Sequence, residues 1–477
     1  MLNKEKSGKS GEVNGLKTTR RSFLGISLST VSLAALPKKA KAAAPTGAKR
    51  FYRGQFHTHT YWSDGRAFPE QAIRIYQEHG YDFLGISDHN QYDVGRKVKG
   101  LGGRGISPAI FEAYKAEFPD MVETVKTPKG TTAVVLSPIS KLRKRFEKPG
   151  KFLLLDAVEA TSGVLDKTTG IGHQVHMNYL NVPGVPSYVK AFPANETVRD
   201  RIRNTEASVT KLAAELKRET MFILNHPFWQ WYDILPEDLI ALPQVRFFEL
   251  SNGGSGYKAP NGLPTDGFDQ DRFWDIVNAF RARRGQPLLL GVGNDDTHCY
   301  FGEPAVKLPR SCMPFGAWNY VRAESLTAEA LLKAMKAGDF ACCTGFEPED
   351  FAFDKKTGTL TVSVAGRKDK VRTIEFIVTK KDFSEKPIKT LVVHPAEVSD
   401  PAKAKRFERT VNLYDMTKIG CVVKKVSGKI GGPVKASYTM APDDLYVRAR
   451  VISPERPVCS DNLHPLVQTC WTQPYQR

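Results

Sequence analysis

The chain has 477 residues, 41% hydrophobic and 25% charged, with a formal charge of +18 at pH 7. That length exceeds one ordinary domain and suggests two, while the apolar content excludes a disordered chain. Seven irregularly spaced cysteines with no Cys-x-x-Cys exclude a disulfide scaffold and argue against a zinc ribbon.

The first 42 residues hold net +7 of the +18, leaving +11 on the rest, a basic balance that suits anionic substrates or surfaces. Arg20-Arg21-Ser22-Phe23-Leu24, a mildly apolar run to Leu36 and Ala40-Lys41-Ala42 predict a signal peptide over 1–42. The paired arginines match the twin-arginine signal, which implies a folded cargo, the twin-arginine translocase as partner, and a periplasmic or secreted destination. An ordinary signal that happens to contain Arg-Arg is the competing reading. No window reaches the ~18 apolar residues of a membrane span.

Arg50 to Phe56 reads as a short aromatic-rich strand running into His57-Thr58-His59, then Ser63-Asp64-Gly65. Histidines at i and i+2 of a strand share a face, and neutral imidazole is a common zinc ligand. Asp64 adds an oxygen ligand where Gly65 lets the chain turn. Pro69 to Glu78 is predicted as a helix closed near Gly80, with His79 as its C-terminal cap. Asp82 to Ile86 is a strand ending in Ser87-Asp88-His89-Asn90, so strand, helix and strand predict a parallel pair. Residues 91 to about 150 read as an insertion containing Gly95-Arg96-Lys97-Val98-Lys99-Gly100 and the basic run Lys141 to Arg145. A solvated helix face is the favoured reading of that run, and a substrate-attracting rim the alternative.

Phe152 to Glu159 is a strand ending in a carboxylate. A hairpin-like stretch follows with His173 and His176, which face opposite ways on a strand. Ala207 to Arg218 is an amphipathic helix. Met221 to His226, Val245 to Asn252 and Pro287 to His298 are strands, the last ending in Asp296-Thr297-His298. Asp271 to Arg284 and Thr327 to Ala337 are helices. From about Phe346 the alternation at 358–364, 374–378 and 445–451 predicts a small β-sandwich over 346–477. Adjacent Cys342 and Cys343 cannot easily pair with each other, whereas Cys459 and Cys470 could bridge two late strands. His394 and His464 read as plain surface histidines.

His57, His59, His89, Glu159, His226, Asp296 and His298 thus fall at strand ends, with Asp64 and His176 in adjoining turns or hairpins. In parallel sheets chemistry gathers at carboxyl ends of strands. In this order the motifs resemble the polymerase and histidinol phosphatase (PHP) metallohydrolases, over residues 50–345. The whole chain is similar to an exported branch with an appended β domain that includes aryl-carbamate hydrolases. The resemblance implies an α/β fold, a distorted seven-stranded (β/α) barrel followed by the β-sandwich domain.

It also implies two to three divalent ions, with zinc, manganese or iron all suited to mixed His and carboxylate ligands. The first ion would take His57, His59, Glu159 and Asp296, the second Asp64, His89 and His298, the third Glu159, His176 and His226. His173 competes with His176. The expected chemistry is hydrolysis by a metal-bridging hydroxide, with Asp64 or Asp296 collecting the proton and Asp88 orienting His89. Arg66 and Asn90 are candidates for substrate contact.

The first functional expectation is a phosphoesterase acting on a small anionic or ester substrate. Carbamate or carboxylic ester hydrolysis by the same metals is second. A nuclease is third, because nothing in the sequence shows the aromatic and basic groove that nucleic acid wants. An exported binding protein with structural metals is the reading from another class.

Overall fold

The computed structural model describes residues 49–92, 97–103, 105–166, 171–191, 196–227, 234–254, 269–300, 313–393, 409–457 and 467–477. The export segment at 1–42 lies outside them, as do Cys459, His394 and His464.

β1 (Arg50–Gln55), α1 (Pro69–Glu78) and β2 (Phe83–Ile86) form the expected unit, with β1 and β2 parallel. Pro69 starts α1, where its missing N–H costs nothing. The helix ends on His79, whose Nδ1 bonds the Ile75 carbonyl at 2.8 Å, before Gly80 turns at φ 77°. Ala72, Ile73 and Tyr76 bury one face, and Tyr76 Oη donates to Asp295 Oδ2 at 2.7 Å. That bond ties the helix to the segment carrying Asp296.

The 91–150 insertion carries β3 (Val98–Gly100), α2 (Pro108–Glu117), β4 (Thr124–Lys126), β5 (Thr132–Val135) and α3 (Ile139–Phe146). Its strands pair as a separate sheet in the order β3-β5-β4. The basic run sits on α3, which buries Ile139, Leu142 and Phe146 and turns Lys144 and Arg145 to solvent. Arg143 reaches Asp156 at 2.6 Å. This is the solvated helix face.

The chain continues through β6 (Leu153–Asp166), β7 (Ile171–Leu180), α4 (Ser187–Ala191), α5 (Val198–Glu215), β8 (Met221–Leu224), α6 (Pro236–Ile240) and β9 (Phe247–Asn252). Then come α7 (Gln270–Arg283), β10 (Leu290–Asn294), β11 (Trp318–Ala323), α8 (Ala328–Lys336) and β12 (Phe340–Cys343). α5 starts nine residues before the expected Ala207. Thr197 caps it, accepting from the Asp200 N–H while Asp200 returns a bond to the Thr197 backbone, and this box holds a charged first turn that apolar periodicity overlooks. β6 runs past Glu159 because it pairs with β7 as a long antiparallel hairpin.

Beyond Cys343 the described chain has strands and no helix: β13 (Asp350–Asp354), β14 (Thr359–Val364), β15 (Thr373–Lys380), β16 (Lys389–Val393), β17 (Arg409–Leu413), β18 (Cys421–Ser427), β19 (Val434–Thr439), β20 (Asp444–Ser453) and β21 (Gln468–Thr472). The fold is mixed α/β around one large sheet in the order β10-β9-β8-β7-β6-β2-β1-β11-β12-β21-β20-β15-β18. Pairs β1-β2, β2-β6, β8-β9 and β9-β10 are parallel. β12 pairs with β21, so the late strands extend the sheet that carries the early ones. β13, β14 and β19 form a further sheet, and its Leu360 and Val362 share a core with Phe376, Val378 and Val447. Cys343 and Cys470 are buried free thiols with sulfurs 3.2 Å apart across the β12–β21 pair.

Candidate metal centre

The site is built where strands stop. His57 to His59 follow β1, with Thr58 bridged to Thr297 beyond β10, and His89 follows β2, bridged to Glu159 on β6. Gly65 is needed in the turn after Asp64, since a Cβ there would lie 2.3 Å from the His59 carbonyl carbon and oxygen. Asp296 and Asn90 hold φ of 52° and 51°, a backbone state that costs about 1–3 kcal/mol when held at a site.

All nine side chains named from the sequence converge. Four groups have ligand atoms within 4.8 Å of one another: His59, Asp64, His89 and His298; His57, His226 and Asp296; His57, His59 and Glu159; Glu159, His176 and His226. Their donors are imidazole nitrogen and carboxylate oxygen, the set that divalent transition ions take. His59 joins the Asp64 group and His226 meets His57 and Asp296, two contacts beyond the sets implied by the resemblance. His176 Nδ1 lies 3.2 Å from Glu159 Oε1. His173 sits three residues back opposite Val164 and belongs to none of the groups.

His57 is fully buried, with Nε2 3.2 Å from both Glu159 Oε1 and Asp296 Oδ1. Buried His57 Nε2 and Glu159 Oε2 have charged neighbours at 2.7–3.2 Å but, among the described residues, no bond of hydrogen-bonding geometry. Orphaned polar atoms at this depth are costly, and a shared cation would satisfy both, so the residues fit a metal ion. Burial works against a charge on His57, yet Asp296, Glu249 and Glu159 together hold its pKa well above the usual range. Burial and the neighbouring His298 push His59 down to about 3. Against burial, Glu159 and Asp64 lift His89 to about 10, and Asp64 and Asp296 lift His298 to about 9. Glu159 and Asp296 lie well below the carboxylate range despite burial, through His57 and the other imidazoles around them. The cluster opens on one side: the Asp64 side chain is 58% exposed, His298 28% and His89 24%, against none for His57.

Glu249 went unnoticed in the sequence. Its Oε1 takes His57 Nδ1 at 2.7 Å and Asn294 Nδ2 at 2.9 Å, and its Oε2 takes the His226 N–H and Asn252 Nδ2. A carboxylate inside the apolar run Phe247-Phe248-Glu249-Leu250 was the available signal. Asn225 Nδ2 likewise donates to Glu159 Oε1 at 2.9 Å.

Two expected roles are corrected. Asp88 does not orient His89. It accepts from Thr60 N–H and Oγ1 and from Ser63 N–H and Oγ, fixing the turn before Asp64. His89 Nδ1 instead meets Thr161 Oγ1 at 2.5 Å and Glu159 Oε2 at 2.7 Å. Asn90 is not free for substrate, because its amide exchanges bonds with the Thr161 backbone and so prolongs the β2–β6 pairing. Arg66 is exposed beside Asp64, its N–H bonded to the His298 carbonyl.

No protein-family model and no curated protein matches the chain. Among solved structures it is similar to a two-domain protein of Bacteroides vulgatus containing a predicted PHP-like metal-dependent phosphoesterase, at 12% identity over 90% of this chain and 95% of that one, with TM-score 0.35. A protein of Bifidobacterium adolescentis, provisionally assigned as a metal-dependent phosphoesterase, is similar at 13% identity over 53% of this chain and 89% of that one, with TM-score 0.25. An amidohydrolase of Chromobacterium violaceum is similar at 12% identity over 55% of this chain and 94% of that one, with TM-score 0.25.

Proposed function

We propose that this chain is an exported, metal-dependent hydrolase of the PHP type, a phosphoesterase using two to three divalent ions. In this reading β1, β2 and β6 to β10 are the distorted seven-stranded barrel, and 346–477 is an appended β domain. The observation that carries the reading is the cluster of six imidazoles and three carboxylates, open only at Asp64, His89 and His298, in overlapping groups of which two share Glu159. Among the described residues neither Glu159 nor Glu249 forms an ion pair with a lysine or arginine. Carboxylates at that depth need cations.

His57, His59, Glu159 and Asp296 would hold one ion, Asp64, His89 and His298 a second, Glu159, His176 and His226 a third. Divalent ions there would lower the pKa of a coordinated water toward neutrality and draw charge from the ester in the transition state. The chain's own groups do the rest. Glu249 accepts a hydrogen bond from His57 Nδ1, which would leave Nε2 to face an ion as the lone-pair donor. Asp64 is the carboxylate that water reaches from the open side, so it rather than buried Asp296 would take the proton of an attacking water. Arg66 stands exposed on the same side to meet an anionic substrate. The open side also argues against a purely structural metal, whose site would be closed.

Elemental analysis of freshly purified protein should give more than one ion per chain, with turnover of nitrophenyl phosphate. Hydrolysis of naphthyl carbamate alone would make carbamates or carboxylic esters the substrate class. Bound metal without hydrolysis of either would make the chain an exported metal-binding protein. Replacing Arg20 and Arg21 by Lys should leave uncleaved precursor in the cytoplasm, and normal export of that variant would remove the export part of the reading.

A further inference from the structure

β3 is amphipathic in the wrong sense. Alternation along a strand separates Val98 from Lys97 and Lys99, and it is Val98 that faces water, 44% exposed, while both lysines are half-buried. Lys99 is paired with fully buried Val134, so it stands on the inner face of the insertion's sheet. Half-burying two ammonium groups is unfavourable unless acceptors meet them.

That inner face meets the turn that carries Asp64. Lys99 Nζ donates to the Ser63 carbonyl at 2.6 Å and lies 5.1 Å from the centre of the Tyr61 ring. Lys97 Nζ donates to the Trp62 carbonyl and to Gln91 Oε1. Trp62 Nε1 in turn donates to the Ser137 carbonyl, which fixes the insertion onto the turn. An ammonium has three donors, so these contacts leave each lysine with donors to spare. Asp64, His89 and His298 form the open side of the cluster; Lys99 is held on the carbonyl of the residue before Asp64, Lys97 on the carbonyl one residue further back, and Arg66 is exposed two residues beyond Asp64.

We propose that Lys97 and Lys99, carried in by the insertion, form an anion-binding subsite at the open side of the cluster, for the phosphate oxygens of the substrate. The proposal rests on the hydrolase reading for what is cleaved, and not for the binding. The lysines thereby give the insertion a function in substrate choice.

The test titrates inorganic phosphate calorimetrically into the metal-loaded protein and into Lys97→Met, Lys99→Met and the double variant, with metal content measured on each. The phosphate Kd should rise about tenfold per lysine, with metal content unchanged and KM for nitrophenyl phosphate rising more than kcat falls. Lys→Arg at both positions keeps the charge and should recover most of the affinity. If the lysines only brace the turn, the Met variants will lose metal and kcat together while phosphate affinity per loaded site stays the same, and the proposal is wrong. Phosphate ester hydrolysis with KM and Kd indifferent to both lysines also overturns it. Lysine-dependent phosphate binding in a protein that cleaves no phosphate ester leaves the subsite standing and removes the phosphoesterase reading.

Discussion

Two buried ionic clusters among the described residues are completed differently. Between α7 and β20, Arg448 forks onto Asp275, Nε to Oδ1 at 2.8 Å and a terminal nitrogen to Oδ2 at 2.5 Å, and meets Asp271 at 2.7 Å. Tyr446 Oη and Trp471 Nε1 donate to the same two aspartates. Arg448 is fully buried and covers the Trp274 ring at 4.8 Å. Each carboxylate there has its cation within the chain. At the strand ends Glu159 and Glu249 are as deeply buried, yet their neighbours are imidazoles, whose charge depends on pH. Burial alone therefore does not mark function. A cluster that closes on its own counter-ions holds the fold together, and one that lacks permanent cations is prepared for ions from outside.

That contrast can be broken most directly at Glu159. Glu159→Gln removes the carboxylate shared by two groups, and activity should fall by a hundredfold or more, on the order of or beyond what loss of a supporting residue costs, with more than one ion lost per chain. Elemental analysis and turnover check this, and circular dichroism should show the fold retained. Arg448→Met should do the reverse. Leaving Asp271 and Asp275 buried without their cation costs about 3–5 kcal/mol, read by denaturant unfolding, while metal per folded chain stays as in the wild type. Metal loss in the Arg448 variant would mean the two clusters are coupled.

A smaller effect is expected one step out. Glu249→Gln keeps the shape but weakens the hold on His57 Nδ1, and metal affinity should drop about 10–100-fold in a competition titration. Asp88→Asn should act on the Asp64 group, because Asp88 fixes the 60–63 turn.

The pH dependence sharpens the same point. Without metal, His298 and His89 have pKa values raised to about 9 and about 10. A histidine raised on folding contributes stability that is fully present below its unfolded value of ~6.5 and is lost as pH rises through the folded value. The metal-free protein should therefore lose stability between neutral pH and pH ~10. Ligating imidazole must be neutral, so metal uptake near pH 7.5 should release protons into weakly buffered solution and tighten as pH rises. Uptake without proton release would show that these histidines are not ligands.

The smallest effects separate His176 from His173. His176→Ala should lower turnover and leave part of the metal bound, and His173→Ala should change neither by more than about twofold. Loss of metal in the His173 variant alone would reverse the assignment.

The sequence by itself determined the local pieces. His-x-His after β1, Asp-x-His after β10 and Pro69 to Gly80 around α1 are dictated by alternation, turns and caps, which act between near neighbours. Even the opposition of His173 and His176 follows from strand alternation. The tertiary structure decided what meets across the chain. Glu249 is an acid in an apolar strand until His57, 192 residues earlier, is seen on it. Asp88 adjoins His89 in sequence, but successive side chains diverge, and the acid turns to the 60–63 backbone instead. Cys470 faces Cys343 because β21 pairs with β12 across 127 residues, a pairing no local pattern announces. Lys97 and Lys99, at the start of β3, were visible as letters, but their direction was set only when the insertion folded onto the turn at Asp64. Contacts between distant segments are selected by the packing of whole surfaces, and a local pattern records only the part of that selection that falls within one strand or helix.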